Sequence, residues 1–220
     1  MTVFDIISKY KNGFLHGLQI TSYLCLIIWS SGLIIGSVLG TLSQRYKVFS
    51  WPTNAISFFI SGTPVLVFLF WFHYPFQQII GVNVDPFITT AITISLINIF
   101  AVATIVRNAI QDLPQQYIEA AKVCGIKPKK RLREIEFPIV LRFMLPSFLI
   151  TQVNMLHLTL FGSLISVNEI FRVSQQINSQ IYQPVEIYTA LGVFFLIICL
   201  PLNAIALWLK WKFARNISER

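Results

Sequence analysis

Charged side chains in this chain are confined to short stretches, and long apolar runs separate them. No Asp, Glu, Lys or Arg occurs from Asn12 to Gln44, and residues 48–84 hold none either. A helix needs roughly 20 apolar residues to cross the hydrocarbon core of a bilayer. Five segments meet that need, near residues 18–42, 53–74, 87–106, 143–167 and 187–209. The pattern therefore predicts an all-α polytopic membrane protein with five transmembrane helices. Ahead of the first span, residues 1–17 mix Phe4, Ile6, Ile7 and Tyr10 with Asp5, Lys9 and Lys11, which fits an interfacial amphipathic segment. A signal peptide fits less well, because the next apolar run is too long and lacks a small-residue cleavage site. Gln77, Gln78, Gly81 and Asn83 read as an outer loop, and residues 210–220 as a basic tail.

Composition agrees with this pattern. The chain is 55% hydrophobic and 12% charged, which excludes an ordinary soluble domain. Its net charge of +8 does not call for nucleic acid, since basic loops of membrane proteins set orientation and meet anionic lipid. With the N-terminus outside, the inner segments hold Arg45 and Lys47, every cation from Arg107 to Arg142, and the basic tail; only Lys9, Lys11 and Arg172 lie outside. That bias predicts N-out and C-in, with residues 107–142 in the cytoplasm. Cys25, Cys124 and Cys199 are odd in number and imply no disulfide framework. No spacing of Cys, His and carboxylates suggests a metal site.

Several positions inside the spans carry further information. Gly32, Gly36 and Gly40 recur every fourth residue and share one helix face, where a neighbouring helix can come close; the alternative is that glycine is simply common in membrane helices. Pro52 suits the start of the second span. Ser61-Gly62-Thr63-Pro64 interrupts that span, because proline removes a donor and frees a carbonyl near residue 60. Such a break is either a harmless kink or a site lining protein or a water-filled cavity. Pro146 falls in the first turn of the fourth span, whose polar members include Asn154, His157 and Thr159. A lone His in an apolar run more often bonds a neighbouring helix than a ligand.

The most charged stretch, Glu119 to Pro138, cannot lie in lipid. Gln115–Cys124 is helix-compatible, and Gly125 suits a left-handed C-cap. Pro128 fits the first turn of a second helix, which Pro138 is expected to end. Adjacent Ala120 and Ala121 present a low surface for close approach. The plain alternative is a solvated basic loop. However, Glu119-Ala120-Ala121, then Gly125 and Ile135-x-Phe137-Pro138 at their spacings, resembles the EAA loop of bacterial ABC importer permeases. Phe137 stands where that pattern has Leu.

The resemblance extends over roughly Leu15 to Leu209 and is nearest to permeases of polar amino-acid importers. Leu15-x-Gly17-Leu18-x-x-Thr21, Gly62-Thr63-Pro64, Arg107-x-x-Ile110-Gln111-x-x-Pro114 and Leu145-Pro146-Ser147-Phe148 resemble their motifs. It implies a permease subunit of a binding-protein-dependent importer in the bacterial inner membrane, pairing with a copy or a paralogue. ATP would be bound by separate cytoplasmic ATPase subunits, so this chain would hold no cofactor and be no enzyme, and an extracytoplasmic protein would deliver solute. Glu119, Ala120, Ala121, Gly125 and Pro138 would couple to the ATPase; Gly62, Thr63, Pro64, Asn154, His157 and Thr159 would border the substrate pathway.

Ser61, Thr104 and Leu158 stand where that family usually carries charge. Spans without a full charge imply either a subunit whose partner holds the substrate contacts, or a pathway that binds less polar solute or binds weakly. The competing function classes are a secondary transporter, which would usually need intramembrane ionisable groups or an inverted repeat, and a membrane enzyme, for which no nucleophile and base share a helix face.

Overall fold

A computed structural model describes residues 3–218, and every regular element among them is helical. In order these are α1 (Val3–Lys9), α2 (Lys11–Arg45), α3 (Lys47–Gly62), α4 (Val65–Ile80), α5 (Pro86–Gln111), α6 (Gln115–Val123), α7 (Pro128–Ile165), α8 (Ile170–Ile181) and α9 (Pro184–Ser218). Helices α2, α5, α7 and α9 are long and apolar enough to cross a membrane. Helices α3 and α4 meet at 99° and qualify only as one broken span.

The helices outrun the predicted spans, because polar residues at their ends continue the backbone ladder beyond the apolar stretch. Thus α2 begins at Lys11, and the mixed N-terminal segment is divided between α1 and the first turns of α2. Part of the expected outer loop is also helical, since α4 runs to Ile80 before Gly81 ends it at φ 73°. Gln77 holds that end in place: its amide donates to the Thr89 hydroxyl (2.9 Å) and accepts from the Val84 N–H (2.9 Å).

Helix α5 is the centre of the bundle. Its apolar stretch is 56% buried, against 33% for α2 and 17% for α9. The glycine stripe of α2 lies directly on it. A Cβ on Gly36 would stand 2.8 Å from the Ile99 carbonyl oxygen, and one on Gly40 would stand 2.5 Å from that of Ala103. These contacts are backbone against backbone, so close packing explains the spacing. Nearer the start of α2, a Cβ on Gly17 would meet the Ile170 Cα at 2.9 Å, where α8 crosses.

A buried amide pair locks the middle of the bundle. Asn98 of α5 donates to the Ile28 carbonyl of α2 (2.8 Å) and to Gln152 Oε1 of α7 (3.0 Å), while Gln152 donates back to Asn98 Oδ1 (3.3 Å). In lipid such groups have no water to satisfy them, so pairing is the low-energy choice. The Asn98 amide inserts beside the Ile28 carbonyl, and immediately after it α2 widens into a π-helical turn at Gly32–Gly36. Around this pair, Leu24, Ile28, Leu69, Ala91, Ile94 and Met155 form the main apolar core.

Three prolines depart from the expectations. Pro138 does not end the second helix of the charged stretch, because α7 runs through it as one helix of 38 residues. A π-helical turn at Leu132–Glu136 lies just before it, with Phe137 N–H bonding back to Leu132. The wider turn makes room for the ring and absorbs the missing donor. For the same reason Pro146 lies inside α7 rather than in a first turn. Pro52 likewise sits within α3, which already begins at Lys47.

Candidate functional site

The charged stretch folds as a two-helix knuckle between α5 and the apolar part of α7. Pro114 precedes α6, whose last carbonyls are then closed by a glycine cap. Gly125 N–H donates to Lys122 O and Ile126 N–H to Ala121 O, both at 3.0 Å, with Gly125 at φ 69°. This is the reciprocal bonding of a Schellman cap. A Cβ at Gly125 would meet nothing within 4 Å, so conformation and not space requires glycine there. Lys127 is extended, and Pro128 opens α7 as expected.

The two adjacent alanines have opposite fates. Ala120 is exposed together with Glu119, whereas Ala121 is buried at 3% exposure. The low surface expected of both is therefore offered outward by Ala120 alone, since a helix turns 100° between them. Beside it Val123 is 89% exposed, an apolar side chain with no cover on a knuckle otherwise rich in cations. Lys122, Lys127, Lys129 and Arg133 also face outward. Arg131 is used internally, through a half-buried ion pair with Glu136 at 2.7 Å. The Lys130–Glu134 pair at 3.8 Å is exposed, and such pairs contribute about 0–1 kcal/mol.

Side-chain ties link the base of α5 to its neighbours. Arg107 donates to Asn54 Oδ1 of α3, and Gln111 donates to Gln44 Oε1 of α2 (3.0 Å). The knuckle thus hangs from a helix end that is held to two others. Asn54 carried no motif that marked it, so its part was not visible in the sequence.

The residues expected along a pathway fall into two sets. Gly62, Thr63 and Pro64 form the break between α3 and α4, where the freed carbonyls find local donors. Thr63 N–H bonds Ile60 O (3.3 Å), and its hydroxyl bonds Phe59 O (3.0 Å). On α7, Asn154 and His157 are exposed. His157 Nε2 lies 3.3 Å from Cys199 Sγ and its ring packs edge-on against Phe195, so it joins α7 to α9. Thr159 is fully buried, and its hydroxyl donates to Leu156 O at 2.7 Å. It faces the packed interior, while Asn154 and His157 face away from it.

A buried carboxylate organises the segment after α7. Glu169 is fully buried and caps α8, accepting from the N–H groups of Phe171 (2.8 Å) and Arg172 (2.7 Å). Burial pushes its carboxyl up to about 7, although both hydrogen bonds and the Arg172 charge pull the other way. Among the described residues no cluster of His, Cys, Asp or Glu could hold a metal ion.

Comparisons with known proteins agree with this architecture. Residues 32–215 match the family described as binding-protein-dependent transport system inner membrane component. The glutamine transport system permease protein of Escherichia coli K12 is 28% identical over 186 residues, covering 81% of this chain and 85% of its own. An octopine transport system permease protein of Rhizobium radiobacter is 29% identical over 198 residues, covering 83% and 81%. An L-cystine transport system permease protein of Bacillus subtilis is 28% identical over 207 residues, covering 92% and 87%. In fold, the chain superposes on a crystal structure of an amino acid ABC transporter with a TM-score of 0.82 at 22% identity, covering 94% of this chain and 96% of that one.

Proposed function

This chain belongs to the family of inner membrane components of binding-protein-dependent transport systems, and from that membership we propose how it works as the permease subunit of an amino-acid ABC importer. It sits in the bacterial inner membrane with its N-terminus outside and its C-terminus in the cytoplasm. Two such subunits, alike or paralogous, form the pathway. Separate cytoplasmic ATPase subunits bind ATP, and an extracytoplasmic protein delivers the solute. The orientation rests on the cations gathered at 107–142 and in the tail.

The observation that carries the reading is the knuckle. Ala120 and Val123 leave an uncovered low apolar patch ringed by Glu119 and Lys122, on a helix whose end is fixed by Gly125. A groove on an ATPase subunit can receive such a patch. When ATP draws two ATPase subunits together, the groove moves and carries α6 with it. Gly125 keeps the angle between α6 and α7, and Pro138 continues α7 toward the membrane, so two packings of the bundle are biased by one nucleotide. Ala121 secures α6 to its own chain rather than to the partner.

Solute passes along the side of α7 that carries Asn154 and His157, which the second permease subunit completes. The break at Gly62-Thr63-Pro64 borders the same path, and Thr159 supports it from within. This subunit brings no full charge from these spans, so either a paralogous partner carries the substrate contacts or binding is weak and selection is left to the delivering protein. The test is uptake of labelled amino acid with co-purification of the ATPase subunits. Ala120→Arg is expected to abolish both, while Lys129→Gln leaves both intact. Full uptake by the Ala120→Arg protein at normal membrane levels would refute the docking role.

A further inference from the structure

An open groove of about 430 Å3 runs between α1, the first turns of α2 and α9. Phe4, Ile7, Leu15 and Phe194 give it apolar walls, and Ser8 and Lys11 are the polar residues that line it. The groove exists because α1 commits its other face to the protein. Ile6 is fully buried against Val173, Ile177 and Ile187, which turns Phe4 (84% exposed) and Ile7 outward.

The groove's depth in a bilayer follows from α2. Its 35 residues extend about 52 Å at 1.5 Å each, well beyond a hydrocarbon core of roughly 30 Å. Lys11, the first residue of α2, therefore lies outside the hydrocarbon core on the headgroup side, with Leu15 and Leu18 one and two turns nearer the core. Lys11 makes no ion pair among the described residues, whereas Arg131 is paired.

An apolar trough capped by an unpaired ammonium and a hydroxyl matches one chemistry. We propose that this groove holds a single anionic diacyl phospholipid. Its phosphate receives hydrogen bonds from Lys11 Nζ and the Ser8 hydroxyl. One acyl chain lies along Leu15, Leu18 and Phe194. A second protein chain is a poorer occupant, because it would have to bury Lys11 opposite a carboxylate of its own. The site lies apart from the knuckle and stands whether or not the docking role described above is right.

Native mass spectrometry of the full-length protein in neutral detergent tests this, with phosphatidylglycerol and phosphatidylcholine of identical acyl chains. One phosphatidylglycerol per chain is expected, retained about tenfold more readily than phosphatidylcholine. Lys11→Gln should erase that preference, while Leu15→Trp, which fills the trough, should lower retention of both lipids. Should Leu15→Trp melt early, Ile7→Ser serves the same purpose. Lys47→Gln, at the start of α3 and just past the far end of α2, should change nothing. Three results would overturn the proposal: equal retention of the two lipids, an unchanged preference in Lys11→Gln, or displacement of the lipid by glycerol 3-phosphate at matching concentration. Chain dimers that Leu15→Trp disrupts would also overturn it, by assigning the groove to a second copy.

Discussion

Adding one methyl group to the glycine stripe should separate two helices that touch through their backbones. A Cβ at position 40 would lie 2.5 Å from the Ala103 carbonyl oxygen, 2.9 Å from Val106 Cβ and 3.1 Å from Ala103 Cα. Ordinary contact begins near 3.4 Å, so α2 and α5 must part by about 1 Å. None of these atoms is the tip of a flexible side chain that could swing aside. A gap of 0.5–1 Å forfeits about a quarter to a half of each dispersion contact along the seam, and overpacking of this kind costs about 1–3 kcal/mol. Alanine's better helix propensity returns about 1 kcal/mol. Gly40→Ala should therefore be destabilising by up to about 2 kcal/mol in net terms, or a few degrees of melting temperature. The internal control is Gly192→Ala on α9, where a Cβ meets nothing within 4 Å. There only the propensity gain remains, so the sign reverses and the protein melts slightly higher. Thermal unfolding in detergent, followed by circular dichroism, measures both. If Gly40→Ala raises the melting temperature as much as Gly192→Ala, the close-packing argument is wrong.

The Asn98–Gln152 pair makes a second prediction. Asn98→Leu or Gln152→Leu alone strands a buried amide and should cost about 1–3 kcal/mol, while the double variant costs less than the sum; strict additivity in a double-mutant cycle would show that the pair is not coupled. Glu169 gives a pH dependence. Its carboxyl titrates near 7 when docked, against 4.5 ordinarily, so the docked state holds the proton between these values. Stability of the α8 region should therefore fall as pH rises from about 4.5 to 7, by at most about 3 kcal/mol, and level off above. Hydrogen exchange of α8 amides across pH 5 to 8 reads this out. Glu169→Gln should flatten the curve, and a slope that survives in that variant would assign it elsewhere. At the knuckle, Gly125→Asn should keep uptake because Asn tolerates the left-handed conformation, whereas Gly125→Val should lose it at normal membrane levels; equal uptake by the two would separate the turn from its function.

Features written as periodicity were legible in the sequence. The uncharged runs located α2, α5, α7 and α9, the four-residue repeat of Gly32, Gly36 and Gly40 marked a real contact, and Gly125 and Pro128 marked the elbow. Features that depend on which residue lies opposite were not legible. Asn98 and Gln152 were visible as amides in apolar runs, but 54 positions separate them and nothing local announced their pairing. Ala120 and Ala121 read alike as neighbours, and only the placement of α6 buries one of them. Pro138 does not end its helix, because a proline's effect depends on the turn before it. The widening at Leu132–Glu136 came from no residue type that signals it.

Since α7 passes through Pro138 without ending, its charged foot and its far tip belong to one rod about 57 Å long, from 38 residues at 1.5 Å each. A tilt of about 10° imposed at Pro128 would sweep Ile165 through about 10 Å if the rod stays stiff. Small angular errors at the foot are therefore magnified at the opposite membrane face, and stiffness along α7 matters as much as any contact at either end.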